Sequence, residues 1–417
     1  MPDEDDCDSC TITSSACKVS IQLNSYQIYF FKASQGPTTH KDATTTCSGT
    51  SGGLSGSGSP ISERLDSLRT IYTNCTFVIG NLELISLPQN ADLSFLEDIE
   101  QVQGYVIIYN VNTKHVPLPK LRIIWGDQAF RPFSFDTNGT FRNTPEASLF
   151  VVNNPGLVEV DFSNLREIAK RSVIVKESPY LCFWQTIDWY QILGMNHTGR
   201  FHVDSSTFSM CGRTREQLHC EGCGDDGMAP CWGTGVNSNN ELKCQKIYRR
   251  NCAKQCSADT CYKDDGMIDS CCHKACLGGC MGPTNRDCIA CKGYLNNGGC
   301  IDECPKPQRY DPAIGEMVPN ENGKYAYHRE CVTKCPGNMM TDQFAGACVT
   351  SCRPGFREND KTRSCEPCPD GHCIEKRCKL SHVLRSYDVD NMENCTLIDG
   401  NLEILTTSFQ EYAALNP

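Results

Sequence analysis

Twenty-two of the 31 cysteines lie between Cys220 and Cys373, about one residue in seven, and this crowding restricts the possible folds more than any other feature. The densest stretch, CCHKACLGGCMGPTNRDCIAC from Cys271 to Cys291, has few large apolar side chains. Such a segment cannot bury enough surface to hold itself together, so cross-links that limit the spread of the unfolded chain must stand in for a core. Cytosolic thiols are kept reduced, so the compartment is oxidising. The region reads as a rod of small disulfide modules, an extended spacer and not a catalytic globule.

The other nine cysteines are sparse, and the odd total leaves at least one thiol without a partner inside the chain. A length of 417 residues corresponds to about two to four domains. A net charge of -11 argues against nucleic acid as a partner. Four sequons, at Asn74, Asn138, Asn196 and Asn394, agree with the secretory route and are the expected glycosylation sites. The start, MPDEDDCDSC, is acidic where a signal peptide is basic, and no apolar run is long enough to span a bilayer. The chain therefore reads as part of a longer secreted or membrane-anchored protein. Residues 1–46 fit nothing that follows and are expected to be an unstructured leader, with Thr, Ser and Gly concentrated over residues 36–59.

From Cys47 to Cys211 a repeat takes over. Leu68, Ile71 and Val78 precede Gly80; Leu96, Ile99 and Val102 precede Gly104; Leu121 and Ile124 precede Gly126. The glycines are 24 and 22 residues apart, a period typical of leucine-rich or β-helical solenoids. Each turn of such a fold carries a short strand, here Tyr105–Tyr109, and must stack on its neighbours to bury its apolar face. A further turn is expected through Leu165, Ile168 and Ser172–Val175. Cys47–Cys75 and Cys182–Cys211 would staple the two ends, where an open solenoid frays. A second repeat is long-range: NCTFVIGNLEL from Asn74 recurs as NCTLIDGNLEI from Asn394, with seven of eleven positions identical. A second solenoid domain thus begins near Cys378 and reaches about one turn by Pro417, too little to fold alone.

Two such domains around a cysteine-rich spacer resemble the receptor L-domain family. The signals are Cys231-Trp232-Gly233, the Cys271-Cys272 doublet, Gly80-Asn81-Leu82-Glu83 and Asp92-Leu93-Ser94-Phe95-Leu96. Together they resemble the ectodomain of an epidermal growth factor receptor from about Cys47 to Pro417. Insulin receptors share the architecture and resemble it at Cys182 and Thr186–Trp189, but look shorter than the 26 cysteine-free residues between Cys304 and Cys331. The resemblance implies a mainly β chain. A right-handed β-helix or leucine-rich-like solenoid L domain (47–211) would precede a furin-like disulfide rod (212–377), and a second L domain would begin at 378–417.

It also implies the pairing Cys220–Cys231, Cys223–Cys244, Cys252–Cys261, Cys256–Cys271, Cys272–Cys280 and Cys276–Cys288. Single links would follow at Cys291–Cys300, Cys304–Cys331, Cys335–Cys348, Cys352–Cys365 and Cys368–Cys373, with Cys378–Cys395 opening the second L domain. Cys7, Cys10 and Cys17 would remain over, all in the leader.

Residues 304–331 would be the family's dimerisation arm. Tyr310, Pro312, Met317, Tyr325 and Tyr327 put apolar surface on a finger with no core beneath it, and Asn322-Gly323 supplies a hairpin-turn signal. Tyr294 would belong to the surface on which a partner's arm docks; Gly315 and Thr350 depart from the family's aromatic and arginine there. Ligand contact on the first L domain would fall at Leu54, Ser86, Asn110 and Arg131, where Arg131 replaces an acidic residue. The implied partners are a secreted epidermal-growth-factor-like ligand and a second receptor, as homodimer or heterodimer, at the extracellular face of the plasma membrane. Membrane contact would come only through a transmembrane segment outside this sequence.

Enzymatic chemistry is not written in this chain. No phosphate-binding glycine loop precedes a strand, and His328-Arg329-Glu330 departs from the kinase catalytic triplet. ATP and magnesium are expected only for a kinase elsewhere in the gene. CxxC pairs at Cys220–Cys223, Cys288–Cys291 and Cys365–Cys368 have zinc-like spacing but belong to the disulfide grid, so no metal is expected there. Cys7–Cys10 is the one such pair outside it. His273 is expected to be exposed. The alternative to a receptor is a secreted or kinase-less L-domain protein that sequesters ligand.

Overall fold

The computed structural model describes residues 18–23, 26–31, 45–51, 61–132, 134–135, 141–142, 145–194, 197–214, 217–218, 220–224, 229–247, 252, 256, 260–263, 269–337, 339–359, 361–369, 377–379 and single positions up to 397–399. Over these residues the chain is mainly β, with few helices and many disulfides. It divides into two compact units, residues 1–292 with 298–300 and residues 293–297 with 301–417.

In the first unit, strands β1 (Lys18–Leu23) and β2 (Tyr26–Phe31) pair antiparallel inside the leader that was expected to be unstructured. Beyond it, β3 (Thr46–Ser48), β4 (Phe77–Ile79), β6 (Gln101–Val102), β9 (Ile123–Ile124) and β14 (Glu167–Ile168) form a parallel sheet in that order. A second parallel sheet follows the order β5 (Leu82–Ile85), β7 (Val106–Tyr109), β12 (Ala147–Val152), β15 (Ser172–Lys176) and β16 (Phe201–Val203). A third pairing joins β8 (His115–Pro117) to β13 (Glu159–Asp161).

Register explains the glycine spacing. Leu82 lies beside Val106 and Leu149 beside Val173. The Gly104 N–H donates to the Gly80 carbonyl at 2.7 Å, and the Gly126 N–H to that of Gly104 at 3.0 Å. A Cβ on Gly104 would stand 1.9 Å from Asn81 Oδ1 and 2.8 Å from the Gly80 oxygen, so only glycine fits. The repeat read from the sequence omits β12. An excursion over residues 127–146, holding the antiparallel pair β10 (Ser134–Phe135) and β11 (Phe141–Arg142), breaks the period and hides the next strand.

The strands of the second sheet are apolar on both faces because both are covered. Leu82, Leu84, Val106, Ile108, Leu149, Val151, Val173 and Val175 enter the main core. Ile85, Ile107, Phe150, Val152 and Ile174 point the other way, into a separate cluster with Phe130. At the strand ends, Ser86, Asn110, Asn153 and Glu177 take left-handed backbone, φ 50–58°. Asparagine tolerates that region, which accounts for two of the four.

Helix α1 (Ile61–Tyr72) precedes β4, and α2 (Trp189–Leu193) and α3 (His197–Arg200) lie before β16. The Asp188 carboxylate caps α2 by accepting from the Tyr190 N–H. Beside α2 the main core takes in Trp232, fully buried, from β17 (Cys231–Val236) of the first cysteine module. Its ring packs edge-on to Trp184 at 5.6 Å and Phe162 at 5.4 Å. Cys231 N–H donates to Thr186 Oγ1 at 3.1 Å, which donates back to the Cys231 carbonyl at 3.0 Å. Strand β18 (Leu242–Cys244) adds Lys243, which donates to Glu159 of β13. The first cysteine module is therefore part of the closure of the main core.

Further modules are the antiparallel pairs β19 (Cys261–Lys263) with β20 (Asp269–Cys271) and β21 (Cys276–Cys280) with β22 (Cys288–Cys291). The described cysteines pair as Cys47–Cys75, Cys182–Cys211, Cys220–Cys231, Cys223–Cys244, Cys252–Cys261, Cys256–Cys271, Cys272–Cys280, Cys276–Cys288 and Cys291–Cys300 in the first unit. Strand β24 (Gly299–Ile301) carries Cys300, and β23 (Tyr294–Asn296) opens the second unit.

In the second unit, β23, β28 (Glu330–Val332), β27 (Tyr325–Tyr327), β30 (Ala347–Val349), β29 (Met340–Asp342), β32 (Ser364–Pro367) and β31 (Phe356–Asn359) are successive neighbours in one sheet. The hairpin of β25 (Gln308–Asp311) and β26 (Glu316–Pro319) stands apart, each strand paired only with the other among the described residues. Disulfides here are Cys304–Cys331, Cys335–Cys348, Cys352–Cys365 and Cys378–Cys395. The parallel pair β33 (Arg377–Lys379) and β34 (Leu397–Asp399) sets Cys378 beside Ile398, as β3 and β4 set Cys47 beside Val78. The long-range repeat in sequence is thus also a repeat in pairing.

Candidate ligand face and projecting hairpin

The rim of the second sheet is a candidate protein-binding surface, while the outer face itself is covered. Phe130 lies across it, 5.5 Å from the Tyr105 ring and 4.8 Å from Phe150. The buried Tyr105 hydroxyl donates to Glu83 Oε1 at 2.7 Å, and burial followed by that carboxylate pushes its titration up. At the strand ends, Asn110 Nδ2 donates to Ser86 Oγ at 3.1 Å, so these two predicted residues sit together. Arg131 is exposed beside Phe130 and makes its contact elsewhere: its Nε donates to Glu146 Oε1 at 2.8 Å. Glu146 also accepts from Arg171 Nε at 2.9 Å. The two guanidinium groups, Arg131 first, hold this carboxyl below its ordinary value. Leu54 lies outside the described residues. Phe130, Glu146 and Arg171 carry no motif in the sequence, and Phe130 is one of four phenylalanines between residues 127 and 146.

The hairpin departs from its sequence reading in two ways. Its turn is Pro312–Gly315, between Asp311 and Glu316, and not Asn322-Gly323. The Asp311 carbonyl accepts from the Gly315 N–H at 2.9 Å, its Oδ1 accepts from the Ala313 N–H at 2.9 Å, and Gly315 has φ 73°. A four-residue turn closed by a left-handed residue requires glycine here more than an aromatic. Asn322-Gly323 instead forms a bend at the foot, where a Cβ on Gly323 would come 2.5 Å from Pro307 Cα. Second, Tyr325 and Tyr327 are not on the finger. They lie half-buried in β27, opposite Val332 and Glu330 of β28.

The finger itself exposes Tyr310 at 62%, Ile314 at 61% and Met317 at 55%, with Pro312 exposed and Tyr310 opposite Met317. Ile314 escaped the sequence reading because a lone isoleucine before glycine carries no signal. Below, the Lys324 N–H donates to the Pro305 carbonyl at 2.7 Å, and its Nζ donates to Asn296 and Asn297. Tyr294 is half-buried in β23 and Thr350 exposed after β30. His328 packs 4.2 Å from Tyr327, and burial pushes its imidazole down.

Of the sequons, Asn74 is exposed in left-handed backbone beside the Cys47–Cys75 bridge. Asn138, Asn196 and Asn394 lie outside the described residues, as do Cys7, Cys10, Cys17 and Cys373; Cys368 is disulfide-bonded. His273, expected to be exposed, is half-buried because its Nδ1 accepts from the Ala275 N–H at 3.2 Å. Cys220, Cys223, Cys288, Cys291 and Cys365 each bond to a cysteine outside their own CxxC pair.

Residues 74–193 match the receptor L domain and residues 205–379 the furin-like cysteine rich region. The chain is 35% identical over 346 residues to the epidermal growth factor receptor of Drosophila melanogaster, covering 83% of this chain and 22% of that protein. The chain belongs to the epidermal growth factor receptor family. It is also 33% identical over 388 residues to the receptor tyrosine-protein kinase erbB-2 of Mus musculus (88% of this chain, 29% of that protein). For the receptor tyrosine-protein kinase erbB-4 of Homo sapiens the figures are 33% over 378 residues, 88% and 27%. The chain thus spans less than a third of these relatives, and the kinase that the names of the two erbB receptors denote is not in it. No helix among the described residues is long and apolar enough to cross a membrane.

Proposed function

We propose that this chain is the extracellular ligand-binding and dimerisation portion of an epidermal-growth-factor-type receptor tyrosine kinase. The first L domain, residues 47–211, is read as a right-handed β-helical, leucine-rich-like solenoid whose sheet rim receives a secreted epidermal-growth-factor-like protein. Ser86, Asn110 and Arg131 are its proposed rim contacts, together with Leu54. The furin-like region, 212–377, carries the arm, and 378–417 opens a second L domain. Receptor pairing, as homodimer or heterodimer, passes the signal to a cytoplasmic kinase that uses ATP and magnesium. The protein is placed at the plasma membrane with this portion outside.

One observation carries the reading. Tyr310, Ile314 and Met317 are more than half exposed on a hairpin that stands off its sheet. Apolar groups on a rigid projection raise the free energy in water and lower it when a partner covers them. The test is binding of the secreted chain to a panel of epidermal-growth-factor-like domains by surface plasmon resonance. Saturable binding is expected for at least one member and should change with Arg131→Glu. If no member binds more tightly than about 1 mM, ligand recognition by this chain is refuted.

A further inference from the structure

The described residues hold two Asn-Gly pairs, Asn297-Gly298 and Asn322-Gly323, and the fold treats them differently. An asparagine amide followed by glycine is open to attack by the peptide nitrogen of that glycine, because glycine puts no side chain in the way. Attack needs a free nitrogen, room for the backbone to turn, and help for the charge that gathers on the amide oxygen.

Asn297-Gly298 is the two-residue connection from β23 to β24, with φ 50° and 77°. Both residues are exposed. Among the described residues the Gly298 N–H has no acceptor. Nothing lies within 4 Å of the place of a Gly298 Cβ, so the peptide is free to rotate. The carbonyl to be attacked is already engaged: Lys324 Nζ donates to Asn297 Oδ1 at 2.7 Å and to Asn296 Oδ1 at 2.7 Å. A cation fixed at that oxygen stabilises the negative charge that develops there on attack more than it stabilises the neutral amide.

Asn322-Gly323 has the same two residues in a closed setting. The Gly323 N–H donates to the Asn320 carbonyl at 2.8 Å, and the Asn322 N–H donates to Asn320 Oδ1 at 3.1 Å. A Cβ on Gly323 would meet Pro307 Cα at 2.5 Å and the Lys306 oxygen at 3.0 Å. Here the nitrogen is taken and the peptide is packed in.

We infer that Asn297 is a self-modification site, a spontaneous deamidation that the fold directs to this asparagine and away from Asn322. The Gly298 nitrogen gives its proton to water and bonds to Asn297 Cγ. The Cγ–Nδ2 bond breaks, and Nδ2 leaves as ammonia with a proton returned from water. A second water opens the cyclic imide at either carbonyl, giving an aspartyl or an isoaspartyl residue. The balance is one water in and one ammonia out, with no oxidant or enzyme. The aspartyl product sets a carboxylate against the Lys324 ammonium, turning a hydrogen bond into an ion pair at the foot of the projecting hairpin, where the Lys324 N–H holds the Pro305 carbonyl. The isoaspartyl product lengthens the main chain of a two-residue connection by one methylene.

The test is a time course of the secreted, disulfide-intact chain at mildly alkaline pH and body temperature. Samples are digested in acid, where the reaction is slow, and read by mass spectrometry with fragmentation that separates aspartyl from isoaspartyl. Amide loss at Asn297 is expected to be about tenfold or more faster than at Asn322. Lys324→Met, with an unchanged disulfide map, should slow Asn297 about tenfold, since a hydrogen bond to a charged group is lost from the transition state. Lys324→Arg should restore much of the rate. In the chain reduced and unfolded in urea both pairs should react alike. Equal rates at the two pairs in the folded chain overturn the inference. So does a Lys324→Met chain that loses the Asn297 amide as fast as the parent, or an Asn297 that stays intact while the unfolded control reacts.

Discussion

Replacing Lys243 by Met should break the joint between the L domain and the first cysteine module. Lys243 and Glu159 are 11% and 13% exposed, with His115 Nε2 at 3.3 Å from the same carboxylate, so solvent screens the pair little. Removing one member of such a pair strands a buried charge, at a cost of about 3–5 kcal/mol. The module also contributes Trp232 to the main core, so the loss should be felt in cooperative unfolding of the whole L domain. At about 2–4 °C per kcal/mol for a domain of this size, the midpoint should fall by about 6–20 °C. Glu159→Gln with Lys243→Met removes both charges and should recover most of that, because a neutral pair leaves nothing uncompensated.

Acid titration gives a second readout of the same pair. Burial pushes the Glu159 carboxyl up, but the His115 ring and the Lys243 ammonium together outweigh it and hold the carboxyl below 4.5. A carboxyl lowered on folding stabilises fully above its unfolded value and loses that contribution as pH falls through its folded one. The parent should therefore lose stability below about pH 4.5. Glu159→Gln should flatten that limb. Neighbouring Asp161, pushed up by burial, has the opposite sign, so the difference between parent and variant is the quantity to follow. Scanning calorimetry at a series of pH values, with disulfides intact, measures both effects. A single Lys243→Met cost under about 1 kcal/mol, or a double variant as unstable as the sum of the singles, would refute the buried-pair reasoning.

Cys304→Ser should release the foot of the arm and cost about 2–5 kcal/mol, seen as faster proteolysis between residues 305 and 330 with the remaining bridges mapped intact. Gly104→Ala should abolish secretion of folded protein, since its Cβ would meet Asn81 Oδ1 at 1.9 Å and backbone at 2.8 Å; secretion at parental yield would show that the turn can shift. Arg131→Glu sets a second carboxylate against Glu146 on an exposed rim, so the thermal midpoint should hardly move while affinity for an epidermal-growth-factor-like ligand changes.

Much of this molecule is local in origin and so legible in the sequence. Cysteine density alone dictates an oxidising compartment and a cross-linked spacer. The 24- and 22-residue glycine spacing is a direct imprint of stacked backbone, because Gly104 must pass Asn81 where no Cβ fits. The copy of NCT…GNLE at Asn394 foretells that β33 and β34 pair as β3 and β4 do. Tertiary structure decided what depends on residues far apart in the chain. Strand β12 falls out of period because an excursion precedes it, and only its neighbours β7 and β15 fix its place. Tyr325 and Tyr327 read like arm residues by their place between Cys304 and Cys331 and by the family resemblance, yet pairing with β28 keeps them in the sheet, while Asp311 and Gly315 put the turn ten residues earlier than Asn-Gly suggests. Trp232, Lys243 and Glu159 meet only after folding, and Phe344 gains its brace from Arg353, which precedes the next hairpin. Turn chemistry and repeat period are properties of a few consecutive residues; burial, charge pairing and exposure belong to the surroundings, which the chain creates only when it folds.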